Sequence, residues 1–132
     1  MMVFMDTFAF LAWLNPRDAA FARVTQWLET YDGRFLTTEW VLMELADALS
    51  PSRLRATAVH YLPKLRTDPA FDIVVYEAAV YEAGFNLFSK RPDKDWSLTD
   101  CISFEVMRLR GVSDALTADH HFEQAGFRAV FK

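Results

Sequence analysis

Apolar positions along the chain fall into short runs that alternate with stretches of helical spacing, and this alternation sets the fold class. Val3-Phe4-Met5 is a short apolar run that ends on Asp6, which predicts a first strand. Thr7 to Leu14 reads as a short helix stopped by Asn15-Pro16. Asp18 then caps a second helix whose apolar stripe is Phe21, Val24, Trp27, Leu28 and Tyr31. Asp32-Gly33 turns the chain into a second strand, Arg34-Phe35-Leu36. Thr37 or Thr38 caps a helix running to about Leu49. Ser50-Pro51 places a cap before a proline at the first helical position and opens a helix with Leu54, Ala58, Tyr61, Leu62 and Leu65 inward. Pro63 lies inside that pattern and should kink or shorten the helix.

The second half continues the alternation. Phe71 to Tyr76, β-branched and apolar, predicts the clearest strand, and Glu77 to Phe88 returns to helical spacing. Ser89 to Trp96 is a charged loop, Ser97 opens a helix reaching Arg110, and Gly111 stops it. Ala115-Leu116-Thr117 predicts a short strand, Asp119 to Gln124 a short helix, Gly126 a cap, and Phe127 to Phe131 a last strand. Short strands separated by helices imply a parallel sheet covered on both faces: α/β, a three-layer α/β/α sandwich. With 132 residues and neither an internal repeat nor a low-complexity linker, a single domain over residues 1–132 is expected.

Composition narrows the function classes. At 52% hydrophobic and 15% aromatic residues, there is material for one packed core, which argues against disorder. The single cysteine, Cys101, has no internal partner, so a disulfide scaffold is excluded and a reducing cytoplasm is the expected compartment. No basic segment leads into a secretory apolar region, and the apolar stretch Phe8 to Leu14 is too short to span a bilayer, so no membrane association is expected. The balance of 14 basic against 18 acidic residues, net −4, disfavours a nucleic-acid partner at first sight. If four of those acids share one cation site, however, the remainder is near neutral, and net charge does not decide the partner.

The positions of particular acids carry the chemistry. In open α/β sheets, ligands bind beyond the carboxyl ends of the strands, where Asp6 and Asp119 stand; each could equally be a helix cap. Glu44 lies about 40° from Trp40 and Ala48 and about 60° from Val41 on the helical wheel, on the apolar arc and expected to be buried. A buried carboxylate needs an arginine, a hydrogen-bond network or a metal. Asp100 heads an inward stripe with Phe104 and Met107, and Ser97-Leu98-Thr99-Asp100 also fits a capping-box variant. Carboxylates converging from strand ends and helices repel each other unless a cation holds them. An all-oxygen set favours Mg²⁺ or Mn²⁺, which polarise phosphoryl oxygens and activate water for phosphodiester hydrolysis.

These residues carry a resemblance. Val3-Phe4-Met5-Asp6-Thr7, the stretch Thr37 to Glu44, Asp93 to Cys101, Ala115 to Phe122 and Gly126-Phe127 together resemble the PIN-domain ribonucleases, most closely the VapC-type toxins of bacterial toxin–antitoxin pairs. The resemblance runs end to end and implies a parallel sheet and a Mg²⁺- or Mn²⁺-dependent endoribonuclease. Asp6, Glu44, Asp100 and Asp119 match the family's acidic quartet, with Asp6 and Asp100 the foremost metal ligands. Glu44 and Asp119 would complete the metal site, through waters or a second ion. Thr117 matches a position whose hydroxyl steadies the acids, and Thr7 is a supporting residue. An RNA substrate, a homodimer and inhibition by a small antitoxin are also implied.

Other residues are read more plainly. Lys90, Arg91, Lys94 and Trp96 form either an RNA-binding rim or an ordinary solvated loop offset by Asp93 and Asp95. Arg17, Arg53, Arg55, Lys64 and Arg66 are further cations whose placement the sequence leaves open. His120 and His121, adjacent on a helix, are expected to point apart and to cap or pack, and Cys101 has no histidine beside it to make a nucleophile. Trp40, Phe104 and Met107 read as core, whereas Phe8, Phe10 and Trp13 are candidates for a partner surface. A phosphoryl-receiver domain lacks its required aspartate, since the third strand ends in Tyr76-Glu77, and an Asp-x-Asp phosphatase would need an acid at Phe8. The remaining alternative is a non-catalytic PIN-like scaffold that binds RNA or protein.

Overall fold

The computed structural model describes residues 1–132 and has β1 (Met2–Met5), α1 (Thr7–Leu14), α2 (Phe21–Thr30), β2 (Arg34–Thr38), α3 (Glu39–Ala48) and α4 (Ser52–Thr67) in its first half. The second half adds β3 (Phe71–Val74), α5 (Ala78–Lys90), α6 (Leu98–Arg110), β4 (Asp114–Leu116), α7 (His120–Gln124) and β5 (Arg128–Ala129). The strands form one sheet in the order β3-β2-β1-β4-β5, every pair parallel, and helices cover both faces as a three-layer α/β/α sandwich. β1 sits at the centre; its Val3, Phe4 and Met5 are buried, as an apolar run enclosed by two helical layers must be. No helix is long and apolar enough to cross a membrane.

Local chemistry sets the element boundaries. Thr38, rather than Thr37, caps α3 by accepting the Val41 N–H at 3.1 Å. The Thr37 hydroxyl instead donates to the Met5 carbonyl at 2.9 Å and ties β2 to the end of β1. Ser97 and Asp100 form the expected capping box at the start of α6, and Gly111 closes the same helix at φ 66°. Gly84 lets α5 approach α6 closely: a Cβ there would stand 2.3 Å from Ile102 Cγ1 and 2.9 Å from its Cα.

Several boundaries depart from expectation. Pro51 is the N-cap of α4 rather than its first residue, and α4 runs through Pro63 to Thr67. The carbonyl that Pro63 leaves without an amide donor is that of Val59, which is exposed and open to solvent. Tyr61 faces solvent rather than the core. Asp18 accepts the Ala20 N–H at 2.8 Å, shaping a turn before α2 instead of capping it. β3 ends at Val74 and β5 is confined to Arg128–Ala129, because both are edge strands paired on one side only. Phe10 is fully buried, and Phe8 and Trp13 pack on Phe131 and Phe71, so this early aromatic cluster belongs to the core rather than to a partner surface. Phe104 and Met107 are core as expected, whereas Trp40 is half-buried against Tyr76.

Candidate active site

The strand order reverses beside β1: the chain runs outward to β2 and β3 on one side, then returns to β4 and β5 on the other. The carboxyl ends of β1 and β4 are therefore the topological switch point, the place where open α/β sheets bind ligands. β1 and β4 are in register through Phe4 with Ala115 and Met5 with Leu116, which brings the next residues, Asp6 and Thr117, side by side. The Thr117 hydroxyl donates to Asp6 Oδ2 at 3.0 Å, and its oxygen accepts the Asp119 N–H at 3.1 Å. One buried hydroxyl thereby ties both strand-end acids together.

Each acid also decides between capping and chemistry. Asp6 occupies the N-cap position of α1, yet its side chain makes no capping bond. Asp119 does cap α7, accepting the His121 N–H at 2.9 Å. Asp100 Oδ2 accepts the Ser97 N–H at 3.1 Å, consistent with its capping box. A cap engages one carboxylate oxygen and leaves the other available.

The electrostatics link the acids in series. Asp6 is 8% exposed, and burial pushes its carboxyl up to about 7 against the Thr7 amide and the Thr117 hydroxyl, which favour the charged form; the charges of Asp100 and Glu44 push it further up. Burial also raises Asp100, opposed by the Ser97 N–H and assisted by the charge of Asp119. Glu44 therefore acts on Asp6, Asp6 feels Asp100, and Asp100 feels Asp119. No lysine or arginine pairs with any of the four; the cation-capable neighbours are His120 and His121.

Glu44 corrects the expectation of burial. The buried arc of α3 is Val41, Leu42, Leu45 and Leu49, and Glu44 stands beside it in solvent. Its neighbours on the wheel, Trp40 and Ala48, line the edge of the sandwich, so an apolar arc there is rim rather than core. The Thr7 hydroxyl donates to Glu44 Oε1 and joins α3 to the start of α1.

The histidines correct a second expectation. Their rings do not point apart but lie 4.5 Å apart, and the ligand atoms of Asp119, His120 and His121 fall within 4.8 Å of one another. Both follow the N-cap of a five-residue helix, where side chains lean back toward the capping residue. His121 Nδ1 stands 3.3 Å from Asp100 Oδ2 and 3.4 Å from Asp119 Oδ1, between two of the acids. The sequence reading missed this residue, and its one signal was adjacency to a strand-end acid.

Two members of the charged loop are engaged within the protein. Arg91 is held by Asp93 at 2.9 and 3.0 Å and lies over the Trp96 ring, and Trp96 is buried with its N–H donating to Gln124 at 3.0 Å. Cys101 is buried with its thiol pushed up to about 11, unsuited to nucleophilic work at neutral pH.

The PIN domain family profile matches residues 3–128. Among solved structures, VapC20 of Mycobacterium tuberculosis, a sarcin–ricin loop cleaving toxin, superposes with a TM-score of 0.90 at 25% identity, over 97% of this chain and 98% of that one. FitAcB of Neisseria gonorrhoeae matches with a TM-score of 0.69 at 19% identity, over 100% of this chain and 97% of that one. VapBC2 of Rickettsia felis, bound to a DNA fragment from its promoter, matches with a TM-score of 0.68 at 13% identity, over 98% and 96%. No curated protein matches by sequence. With a family match along nearly its whole length and a VapC-like sheet that gathers strand-end acids at its switch point, this chain belongs to the PIN domain family.

Proposed function

We propose that this chain is an endoribonuclease dependent on Mg²⁺ or Mn²⁺, the toxin of a toxin–antitoxin pair, with residues 1–132 acting as one PIN domain. The observation that carries this reading is Asp6: a buried carboxylate at the switch point, bonded to Thr117, pressed by the charges of two other acids and without a basic partner. The likeness to VapC20 supports RNA as the substrate class, and the likeness to VapBC2 supports a small antitoxin as partner. Exposed Met43, Tyr76, Phe85 and Phe88 offer apolar surface for a homodimer.

The donor set fits a hard divalent cation. The converging side chains are carboxylates; burial first, and then their mutual repulsion, raises Asp6 and Asp100, and a cation would offset both. Asp6 and Asp100 would hold the ion, with Asp119 and the exposed Glu44 completing the site through waters. When bound, the ion supplies Lewis-acid polarisation of a phosphoryl oxygen and a water of lowered pKa. The chain's own groups orient that chemistry. Thr117 fixes one oxygen of Asp6 and the Ser97 amide fixes one of Asp100, so the free oxygens are aimed without a loss of side-chain freedom on binding. Thr7 steadies Glu44, and His121 bridges Asp100 and Asp119. Asp6 would have to be deprotonated to hold the ion, so affinity should rise with pH up to about 7.

Calorimetric titration with Mn²⁺ and cleavage of the sarcin–ricin loop and of a total-RNA pool test this reading. The expected result is a saturable site in the wild type that Asp6→Asn abolishes. Cleavage should fall by at least roughly a hundredfold in Asp6→Asn and Asp100→Asn, beyond the 10–100-fold typical of outer-sphere changes, with cooperative melting retained. Undiminished cleavage in both variants would refute the assignment. A wild type that neither binds Mn²⁺ nor cuts RNA leaves the non-catalytic scaffold.

A further inference from the structure

We propose that Arg17 and Arg53 form a clamp for the phosphate backbone of the substrate strand, at the end of the α1–α3 pair remote from the acids. The inference rests on the ribonuclease reading and extends it to a part of the surface that the acids do not reach. Arg17 follows α1 and Arg53 lies in the first turn of α4, and the fold brings both to one groove of about 690 Å³ lined also by Asn15, Pro16 and Leu54. No acid lines it.

The state of the other arginines singles these two out. Arg66, Arg91, Arg108, Arg110 and Arg128 are each paired with a carboxylate. Arg23 and Arg55 donate to the carbonyls of Phe131 and Ser50. Arg17 and Arg53 donate to nothing, and the other free guanidinium, Arg34, stands alone at the start of β2. A chain of net charge −4 has acids to spare, yet it leaves two cations facing one groove unneutralised. Arg53 is also placed against local preference, since the first turn of α4 contains no acid and a cation there opposes the helix dipole. Local rules are broken in this way where function requires it.

The presentation is built. The Asn15 side chain accepts the Arg17 N–H at 3.1 Å and holds the turn, while Pro16 and Pro51 stiffen the two segments that carry the guanidiniums. α1 packs along α3: the near end of the pair is joined by Thr7 and Glu44, and the far end opens at this groove. α1 has eight residues and so spans about 12 Å, a distance that a few nucleotides of single-stranded RNA bridge between the acids and the clamp. Guanidinium groups bind phosphate oxygens in bidentate fashion and read no sequence, so the clamp sets position and affinity rather than base choice.

The test is RNA binding without cleavage: fluorescence anisotropy of a labelled single-stranded RNA in EDTA, across roughly 50 to 200 mM salt. It compares the wild type with the Arg17→Ala/Arg53→Ala double variant, the Arg17→Lys/Arg53→Lys variant, and Arg128→Ala as a surface-cation reference. Both clamp residues are exposed, and melting curves verify that the fold is intact. The expected result is roughly tenfold weaker binding in the alanine variant, with the slope of log K against log salt shallower by about 1.4, the contribution of two single-strand phosphate contacts. The lysine variant should keep the slope and lose part of the affinity. Arg128→Ala should match the wild type. Equal affinity and slope in wild type and alanine variant overturn the clamp and leave the nuclease reading standing. A wild type that binds no RNA at any salt overturns both. Unchanged RNA binding together with lost affinity for an acidic peptide would assign the groove to a protein partner and likewise overturn the clamp.

Discussion

Two regions of the site use the same chemical pair, a threonine hydroxyl on a carboxylate, in opposite environments. Thr117 holds Asp6 at a buried strand end between β1 and β4, and Thr7 holds Glu44 on the solvent-facing side of α3. The first pair is enclosed by paired strands, so its geometry is rigid and its carboxyl is pushed up to about 7. The second joins two helices at the rim, where water screens the charge. Burial raises Asp6 even though the Thr117 hydroxyl favours its charged form, so the environment outweighs the hydrogen-bond partner.

The largest expected effect comes from the buried pair. Thr117→Val keeps the shape but removes the donor to Asp6 and the acceptor of the Asp119 N–H, so Mn²⁺ affinity should drop about 10–100-fold. Thr117→Ser should restore most of it. A valine variant that binds Mn²⁺ like the wild type would place Thr117 outside the metal chemistry. Glu44→Gln should cost less, about tenfold or under in cleavage, because it keeps an acceptor for the Thr7 hydroxyl and removes a charge that solvent already screens. A loss equal to that of the buried variant would erase the distinction between the two regions.

A separate effect is on stability against pH, measured as thermal midpoints in EDTA. Asp6 has an ordinary value of 3.8 when unfolded and about 7 when folded, so the folded state holds its proton more tightly between the two. The stability this group contributes is fully present below about pH 4 and is lost as pH rises through 7. Asp6→Asn should flatten that decline, and Mn²⁺ should raise the midpoint more above pH 7 than below it. Glu44→Gln should move the window slightly downward, because the charge of Glu44 raises Asp6. A wild-type midpoint that is level across this window would show that Asp6 is not held protonated by its surroundings.

Legibility in the sequence followed the range of the forces involved. The capping box of Ser97 and Asp100, the stop at Gly111 and the apolar run of β1 depend on neighbours within a few residues, and each stands where the pattern placed it. Glu44 was misjudged because a helical wheel reports angle and not cover: the arc containing Trp40 and Ala48 faces the rim. His120 and His121 were misjudged because the angle between adjacent helical positions ignores the backward lean of side chains toward an N-cap. Trp96 was ambiguous because loop composition is silent on what the loop folds over; here it packs edge-on against Phe104.

By itself the sequence determined the alternation of strands and helices, hence a parallel α/β sandwich, and it put Asp6 and Asp119 just beyond strands, because hydrogen-bonding periods and caps are local properties of the backbone. Only the tertiary structure decided which acids Thr117 bonds, donating to Asp6 and accepting the Asp119 N–H, that His121 enters between Asp100 and Asp119, and that Arg17 meets Arg53 across one groove. Each of these is a contact between distant segments, set by the strand order and by which helix covers which face, and burial, charge coupling and solvent screening all follow from that covering.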